Sequence, residues 1–242
     1  MDSVILAAGV GSRIRDLSHS KPLLTLGSKT MLERTMSGLA EAGVERFIVV
    51  VGYLAEQVGE VARQIAQKLE KPVAVVHNDK WEEANGVSVM AAKEKLSGHR
   101  FILSMCDHLF DPAIVKGLLD APTGVSDQTT YLACDYRLDN PNVDLDDVTR
   151  VKLSDDYIQA IGKGLEEFHA YDCGLFNAHI SLIEAIAISS ERGGKSLSHG
   201  MEILASQKKC KAHDIKDFYW LDVDDKNAYQ KARASLSKFV EI

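Results

Sequence analysis

The sequence has fewer basic residues than acidic ones, and this shortage excludes one class of partner. It contains 28 Lys and Arg residues against 35 Asp and Glu residues, which gives a formal net charge of −7. Proteins that bind nucleic acid usually present a basic face to the phosphate backbone. We therefore expect no nucleic-acid partner.

Cysteine is scarce, and long apolar runs are missing. The four cysteines form no C-x-x-C pair, so their spacing predicts neither a zinc site nor a disulfide framework. No apolar run reaches the roughly 20 residues that a membrane-spanning helix needs. The N-terminus carries an acid, Asp2, where a signal peptide would be basic. These absences predict a reduced, cytoplasmic protein with no membrane segment.

Segments typical of strands and of helices alternate through the first half of the chain. Val4–Ala7, "RFIVVVGY", "PVAVVH" and "RFILSM" are apolar runs rich in β-branched residues, as in strands that are buried on both faces. Helical patterns lie between them, beginning near Thr30 and Leu54 and covering Val87–Leu96. The alternation predicts a doubly wound α/β fold with a mainly parallel mixed sheet.

The second half is richer in strands. "TTYLACDYR" and "YDCGLFNA" predict strands, and "TRVKLSDDYIQAIG" predicts a hairpin that turns at 154–156. Helices are predicted near Ser181–Ile188 and Leu197–Gln207, and "DFYWLDVDD" precedes a terminal helix. Because no repeat or linker interrupts the chain, we expect one domain over residues 1–242, in two halves that divide near Leu119.

The first predicted strand ends in "LAAGVGSR", a run of small residues at Leu6–Arg13. It is not a P-loop, and it lacks the dinucleotide fingerprint because Ile14 stands at the third glycine position. Small residues beyond a strand end still let backbone N–H groups approach a polyanion closely. Arg13 and Lys21 could then neutralise that anion. The stretch predicts a phosphate site, with a plain glycine turn as the alternative.

Together with "KPLL" at Lys21–Leu24, this run resembles the signature of nucleotidyltransferases that join an NTP to a phosphorylated acceptor and release pyrophosphate. Later segments extend the likeness over nearly the whole chain: "WEEANGVSVMAAKE", "MCDHLFDP", "IGKGLEEFHAYDCGLF", "SLSHGM" and "WLDVDD". The series resembles the CTP:inositol-1-phosphate cytidylyltransferase family. The resemblance implies a Rossmann-like nucleotidyltransferase fold, with a nucleotide-binding half to about residue 119 and a β-rich acceptor-binding half from about residue 120.

The resemblance also implies a reaction that depends on Mg²⁺. The phosphate of an acceptor, inositol-1-phosphate first, would attack the α-phosphorus of CTP to give CDP-inositol and pyrophosphate. A phosphate monoester loses its second proton near about pH 6 and needs no general base, which agrees with the absence of G-x-S-x-G. Relatives are often fused to a membrane-embedded transferase, which implies such an enzyme acting downstream.

Several alternatives remain open on the sequence. One is a cytidylyltransferase for phosphocholine or for a phosphonate such as 2-hydroxyethylphosphonate. A second is a sugar-1-phosphate uridylyl- or thymidylyltransferase. A third, of a different class, is a domain that binds an NTP without turning it over.

The resemblance assigns phosphate-neutralising roles to three cations and a nucleotide-binding role to two loops. Arg13, Lys21 and Lys163 would be the catalytic cations, and Lys163 would also meet the phosphate of the acceptor. An Asn-Gly turn before a helix, with a serine in the first helical turn, is the alternative reading of the second loop. The implied nucleotide-binding residues are Leu6, Ala7, Ala8, Gly9, Gly11, Ser12, Asn85, Gly86 and Ser88, and we expect the last three to lie before a helix.

Carboxylates supply the implied metal and acceptor sites. Asp107 follows a predicted strand end, where ligands bind in open α/β sheets, and Mg²⁺ prefers carboxylate oxygens. Asp222 or Asp224 would complete that site, and their spacing of two puts both on one side of an extended segment. His108 is expected beside the metal and not as a ligand, because histidine prefers softer ions. Asp172 would accept hydrogen bonds from the acceptor. For Asp172, as for Lys163, an exposed surface charge is the alternative.

Overall fold

The computed structural model describes residues 1–124 and 127–236. Strands and helices alternate through its first half, as the sequence predicts. Short 3₁₀ turns cover Ser12–Ile14 and Lys93–Lys95. The strands are β1 Asp2–Ala7, β2 Thr25–Leu26, β3 Lys29–Thr30, β4 Arg46–Val51, β5 Val73–His77, β6 Arg100–Met105 and β7 His108–Phe110. The helices are α1 Met31–Glu41, α2 Ala55–Lys68, α3 Asn85–Ala91 and α4 Pro112–Leu119.

The second half adds six strands and three helices within the described residues. The predicted hairpin is confirmed: it turns between β9 and β10 at Asp155, whose φ is 51°. The strands are β8 Thr130–Asp135, β9 Arg150–Ser154, β10 Tyr157–Gly162, β11 Ala170–His179, β12 Cys210–Asp214 and β13 Trp220–Asp222. The helices are α5 Ser181–Glu191, α6 Leu197–Ser206 and α7 Lys226–Ser235.

Nine strands form one sheet in the order β5-β4-β1-β6-β11-β8-β12-β10-β9. From β5 to β6 every neighbouring pair is parallel, because each of these strands is joined to the next by a helix that crosses back over the sheet. From β6 to β9 the pairs are antiparallel except β8 with β12. The fold is the doubly wound mixed α/β fold with a β-rich second part that the sequence predicts.

Both faces of the sheet are covered by apolar side chains, and a third apolar cluster lies beyond its carboxyl edge. This third cluster joins Ile14 and Leu24, which follow the glycine run, to Leu109 on β7 and Leu221 on β13. Burial of these side chains away from water holds the loop after β1 against the short β7–β13 ribbon. In the described part of the chain, no helix is long and apolar enough to span a bilayer.

One predicted helix has different bounds. The sequence predicts a helix over Val87–Leu96 and a nucleoside loop, Asn85, Gly86 and Ser88, at its start. In the structure, α3 begins at Asn85 and ends at Ala91. It begins earlier because Ala84, in an extended conformation, is its N-cap. The prediction that these three residues lie before a helix is therefore wrong, since they form its first turn.

Candidate active site

The glycine run after β1 forms the wall of a small cavity. Gly11 adopts a φ of +67°, and a Cβ there would lie 2.7 Å from the Cβ of Lys21. Only glycine allows both the left-handed conformation and this close approach. The cavity has a volume of about 240 Å³ and is lined by Leu6, Gly9, Gly11, Ser12, Arg13, Lys21, Pro22, Cys106, Asp107 and Asp224.

Ala7 and Ala8 belong to the same run but are buried beside the cavity. The carbonyl of Ala8 accepts a hydrogen bond from the backbone N–H of Tyr53 at 3.0 Å. Ala8 therefore fixes the loop against the segment after β4. Their assignment to nucleotide binding remains a prediction.

The carboxylates meet because two distant segments pair. β7 and β13 are antiparallel, with His108 opposite Asp222, and the N–H of Val223 donates to the carbonyl of Asp107 at 3.0 Å. Side chains directly opposite each other in such a pair lie about 5 Å apart at Cβ. The pairing therefore brings the aspartate after β6 next to the acidic pair near the C-terminus.

Lys21 lies at the centre of these acids. Its ammonium is 2.6 Å from Oδ2 of Asp107 and 3.7 Å from Oδ1 of Asp222, and it also contacts Asp224. Burial lowers the pKa of Lys21, but the charges of Asp107 and Asp222 more than offset this and raise it. The lysine is therefore charged at neutral pH although its side chain is only 8% exposed.

His108 holds Asp107 from the other side. Its Nδ1 lies 2.8 Å from Oδ1 of Asp107, and its ring stacks on Trp220 with centroids 6.3 Å apart. Gly174, at a φ of +69°, makes room for the ring, since a Cβ there would lie 2.5 Å from Nε2. Burial lowers the pKa of His108, but Asp222 and Asp107 raise it to about 9. His108 is therefore protonated at neutral pH when no cation is bound, and its role beside the metal remains a prediction.

The acidic cluster fits a hard divalent cation. Asp107, His108 and Asp222 offer ligand atoms that all lie within 4.8 Å of one another. Oδ1 of Asp222 is buried and has no hydrogen-bond partner among the described residues, and burial raises the pKa of this carboxyl. A buried acceptor without a donor is costly, and a cation held by Asp107 and Asp222 would satisfy it.

A second cavity of about 460 Å³ opens on the other side of the same acids. Lys163 and Asp172, both predicted to meet the acceptor, line it. Asp172 accepts a hydrogen bond from the N–H of Gly174 at 2.7 Å, and burial raises its pKa to about 6. Asp107 and Asp224 line both cavities, so the two cavities meet at the acidic cluster.

Sequence reasoning missed Asp147. Its Oδ2 lies 2.8 Å from Nη1 of Arg13, and its Oδ1 contacts the ammonium of Lys163. Hydrogen bonding to Lys163 and to Arg13 lowers the pKa of Asp147, so it is ionised. In "VDLDDVT" no motif separates Asp147 from Asp144 or Asp146.

The predicted nucleoside loop makes contacts within the protein. Oδ1 of Asn85 accepts a hydrogen bond from the N–H of Leu197 at 2.9 Å, and Ser88 accepts one from Asn78 at 2.9 Å. A Cβ at Gly86 would lie 2.5 Å from the carbonyl oxygen of Lys195. Asn85 also lines the larger cavity. The role of these residues toward a nucleoside remains a prediction.

A mixed α/β sheet with a glycine loop, a buried lysine and converging carboxylates beyond its strand ends is the arrangement that the sequence predicts for a nucleotidyltransferase. A sequence profile of the MobA-like NTP transferase domain matches residues 3–172. The chain belongs to this family. Its members generally use a divalent metal, in agreement with the acidic cluster.

Individual relatives and a solved structure are also similar to this chain. The "Bifunctional IPC transferase and DIPP synthase" of Rubrobacter xylanophilus is 34% identical over 92% of this chain and 49% of the relative. Its Aquifex aeolicus counterpart is 28% identical over 98% and 52%. The chain thus spans about half the length of these curated relatives. The inositol-1-phosphate CTP transferase from T. maritima shares the fold, with a TM-score of 0.84, 22% identity and coverage of 100% and 98%.

Proposed function

We propose that this chain is a Mg²⁺-dependent cytidylyltransferase that joins CTP to a small phosphorylated alcohol, with inositol-1-phosphate as the favoured acceptor. The products are a CDP-alcohol, CDP-inositol, and pyrophosphate. One observation carries the proposal: Lys21, beside the glycine loop, is surrounded by Asp107, Asp222 and Asp224 where the two cavities meet. A nucleotide in one cavity and an acceptor in the other would meet at that point.

The choice of acceptor is supported by chemistry and by similarity. The larger cavity offers Lys163 for a phosphate, and Asp172 and Asn142 for hydroxyl groups. The T. maritima structure with the same fold is named for CTP and inositol-1-phosphate. An acceptor with a quaternary ammonium would need an aromatic face or an acid beside its cation. Because this cavity contains acids, phosphocholine is included among the acceptors tested below.

The chemistry follows from charge. The dianionic phosphate of the acceptor is the nucleophile, and its repulsion by the triphosphate is the main obstacle to attack. N–H groups of Gly9, Gly11 and Ser12 would bind the triphosphate, while Arg13 and Lys21 neutralise it. Asp107 and Asp222, with Asp224, would hold Mg²⁺, which supplies charge neutralisation at the phosphates when bound.

Lys163 would orient the acceptor for in-line attack on the α-phosphorus of CTP. Pyrophosphate then leaves along the glycine loop, where the cations stabilise its charge. No protein group has to remove a proton, because the attacking oxygen is already ionised at neutral pH. Cytoplasmic location and a downstream membrane-bound transferase remain predictions.

The test is a grid of CTP, UTP, dTTP and ATP against inositol-1-phosphate, phosphocholine, 2-hydroxyethylphosphonate and glucose-1-phosphate. Pyrophosphate release is measured with Mg²⁺ and with EDTA. We expect release only with Mg²⁺, and fastest with CTP and inositol-1-phosphate. Preference for UTP or dTTP with glucose-1-phosphate would move the chain to the sugar-nucleotide enzymes. CTP binding without release for any acceptor would indicate a domain that only senses the nucleotide.

A further inference from the structure

A single carboxylate neutralises two of the cations assigned to phosphate. Asp147 lies in the segment between β8 and β9, and its two oxygens contact two different partners. Oδ2 is 2.8 Å from Nη1 of Arg13, and Oδ1 contacts Nζ of Lys163. Arg13 follows β1, whereas Lys163 follows β10. The carboxylate therefore bridges the two halves of the chain.

The bridge lies where the reacting phosphate has to be. Arg13 lines the smaller cavity, which holds the glycine loop, and Lys163 lines the larger one. Transfer joins an oxygen of the acceptor's phosphate to the α-phosphorus of the nucleotide. That phosphate must therefore sit at the boundary of the two cavities, within reach of cations from both.

We propose that Asp147 holds the place of the acceptor's phosphate, which displaces its carboxylate and binds between Arg13 and Lys163. This inference rests on the proposed function, and it adds a residue that opposes acceptor binding. A phosphate monoester carries nearly two charges and three terminal oxygens, against one charge and two oxygens for a carboxylate. It can therefore contact both cations more strongly than Asp147 does.

The exchange is feasible because both ion pairs are partly in contact with solvent. The side chains of Arg13 and Lys163 are 50% and 60% exposed, and that of Asp147 is 27% exposed. Exposed ion pairs contribute little to stability, so their loss is readily offset. A phosphomonoester carries nearly two negative charges and can offset the loss of both ion pairs, whereas a phosphodiester carries only one. The site therefore favours phosphomonoesters over diesters.

The experiment measures acceptor binding without nucleotide or metal. Isothermal titration with inositol-1-phosphate, in EDTA and at low ionic strength, is carried out on the natural chain, Asp147→Asn and Asp146→Asn. Asp146 is exposed in the same segment and lines neither cavity, so its variant controls for the loss of one negative charge. Thermal melting verifies that each variant is folded.

We expect Asp147→Asn to bind inositol-1-phosphate roughly threefold to tenfold more tightly, because two exposed ion pairs no longer compete. Asp146→Asn should match the natural chain. Inorganic phosphate, which lacks the polyol, should show the same gain for Asp147→Asn. Weaker or unchanged binding to Asp147→Asn, or a gain confined to inositol-1-phosphate, would overturn the proposal.

The outcome can be separated from that of the proposed function. If no acceptor gives pyrophosphate release, the function fails, yet a gain in phosphate binding would still establish the exchange. If transfer occurs but Asp147→Asn binds phosphate no better, the function stands and the exchange is wrong. The double variant Asp147→Asn/Lys163→Gln should lose the gain, because one of the two receiving cations is gone.

Discussion

At the scale of single residues, Lys21 and a divalent cation would use the same carboxylates. The ammonium contacts Asp107 and Asp224 and lies 3.7 Å from Asp222. A metal held by these oxygens would be repelled by a lysine left in place. Under the proposed function, metal entry would require Lys21 to turn toward the triphosphate, and we expect the metal to bind with the nucleotide.

Lys21→Met tests this competition. We expect the variant to bind Mn²⁺, without nucleotide, roughly tenfold more tightly than the natural chain, because a cation within 4 Å is removed. Turnover should fall on the order of 10³-fold, as when other phosphate-binding cations are lost. Mn²⁺ binding is followed by electron paramagnetic resonance, with Lys163→Met as the matched control. Weaker Mn²⁺ binding to Lys21→Met would contradict the competition.

Asp172 should make stability depend on pH. Its pKa is raised to about 6 by burial, from a usual value of 3.8. Between these values the folded chain holds the proton and the unfolded chain does not, so stability falls as pH rises from about 4 to about 6. We expect Asp172→Asn to remove this fall and to raise stability above pH 6 by at most about 3 kcal/mol. Thermal melts in EDTA from pH 4.5 to 8 measure how stability depends on pH. If stability falls with pH as steeply in the variant as in the natural chain, Asp172 is not the cause.

At the scale of elements, the start of α6 depends on one serine. The Oγ of Ser196 accepts a hydrogen bond from the N–H of His199 at 3.2 Å, and Nδ1 of His199 accepts one from the N–H of Ser196 at 3.3 Å. These bonds satisfy donors that the first turn of a helix leaves without partners.

Ser196→Ala should therefore lower the free energy of unfolding by about 1 kcal/mol. Ser198 lies in the same helical turn without this role, so Ser198→Ala should change it by less than about 0.5 kcal/mol. Urea unfolding followed by circular dichroism compares the two variants. Equal losses of stability in the two variants would show that the N-cap hydrogen bonds of Ser196 do not stabilise α6.

The sequence predicts elements well where the signal is local. "RFIVVV" is β4, and Asp155 turns the β9–β10 hairpin, as expected. The start of α3 was missed because its causes are not local. Ala84 caps the helix without a side-chain hydrogen bond, and Gly86 packs on the backbone of Lys195, more than a hundred residues away.

At the scale of the whole molecule, one sheet runs through both predicted halves. β6 belongs to the first half and β11 to the second, and they pair over five residues from Leu175 with Ser104 to His179 with Arg100. Apolar side chains from both halves share the two main clusters. We propose on these grounds that the chain is a single domain and that its halves cannot fold alone.

Differential scanning calorimetry tests this organisation. We expect a single transition whose calorimetric and van't Hoff enthalpies agree, since no boundary in the sheet separates the halves. Two resolved transitions would show that the halves unfold independently. Adding CTP should shift one transition as a whole, because a ligand stabilises the state that binds it.

Only the site residues that lie in recognisable motifs could be predicted from the sequence. The glycine run, Lys21 and Asp107 stand in recognisable segments, and the structure brings them together with Asp222 and Asp224. Asp147 has no such context, since its importance arises only when its loop folds across the cavity to Arg13. Its neighbour Asp146 has the same chemistry and no part in the site.

The stacking of Trp220 on His108 gives the molecule a built-in optical reporter. The chain has two tryptophans, and the indole of Trp220 lies in the wall of the larger cavity, with its Nε1 donating to Asp135 at 2.8 Å. An imidazolium against an indole quenches its emission, so any occupant that shifts His108 changes the brightness of the protein. In Trp81→Phe, with one emitter left, native fluorescence would follow loading of the cavity without a label.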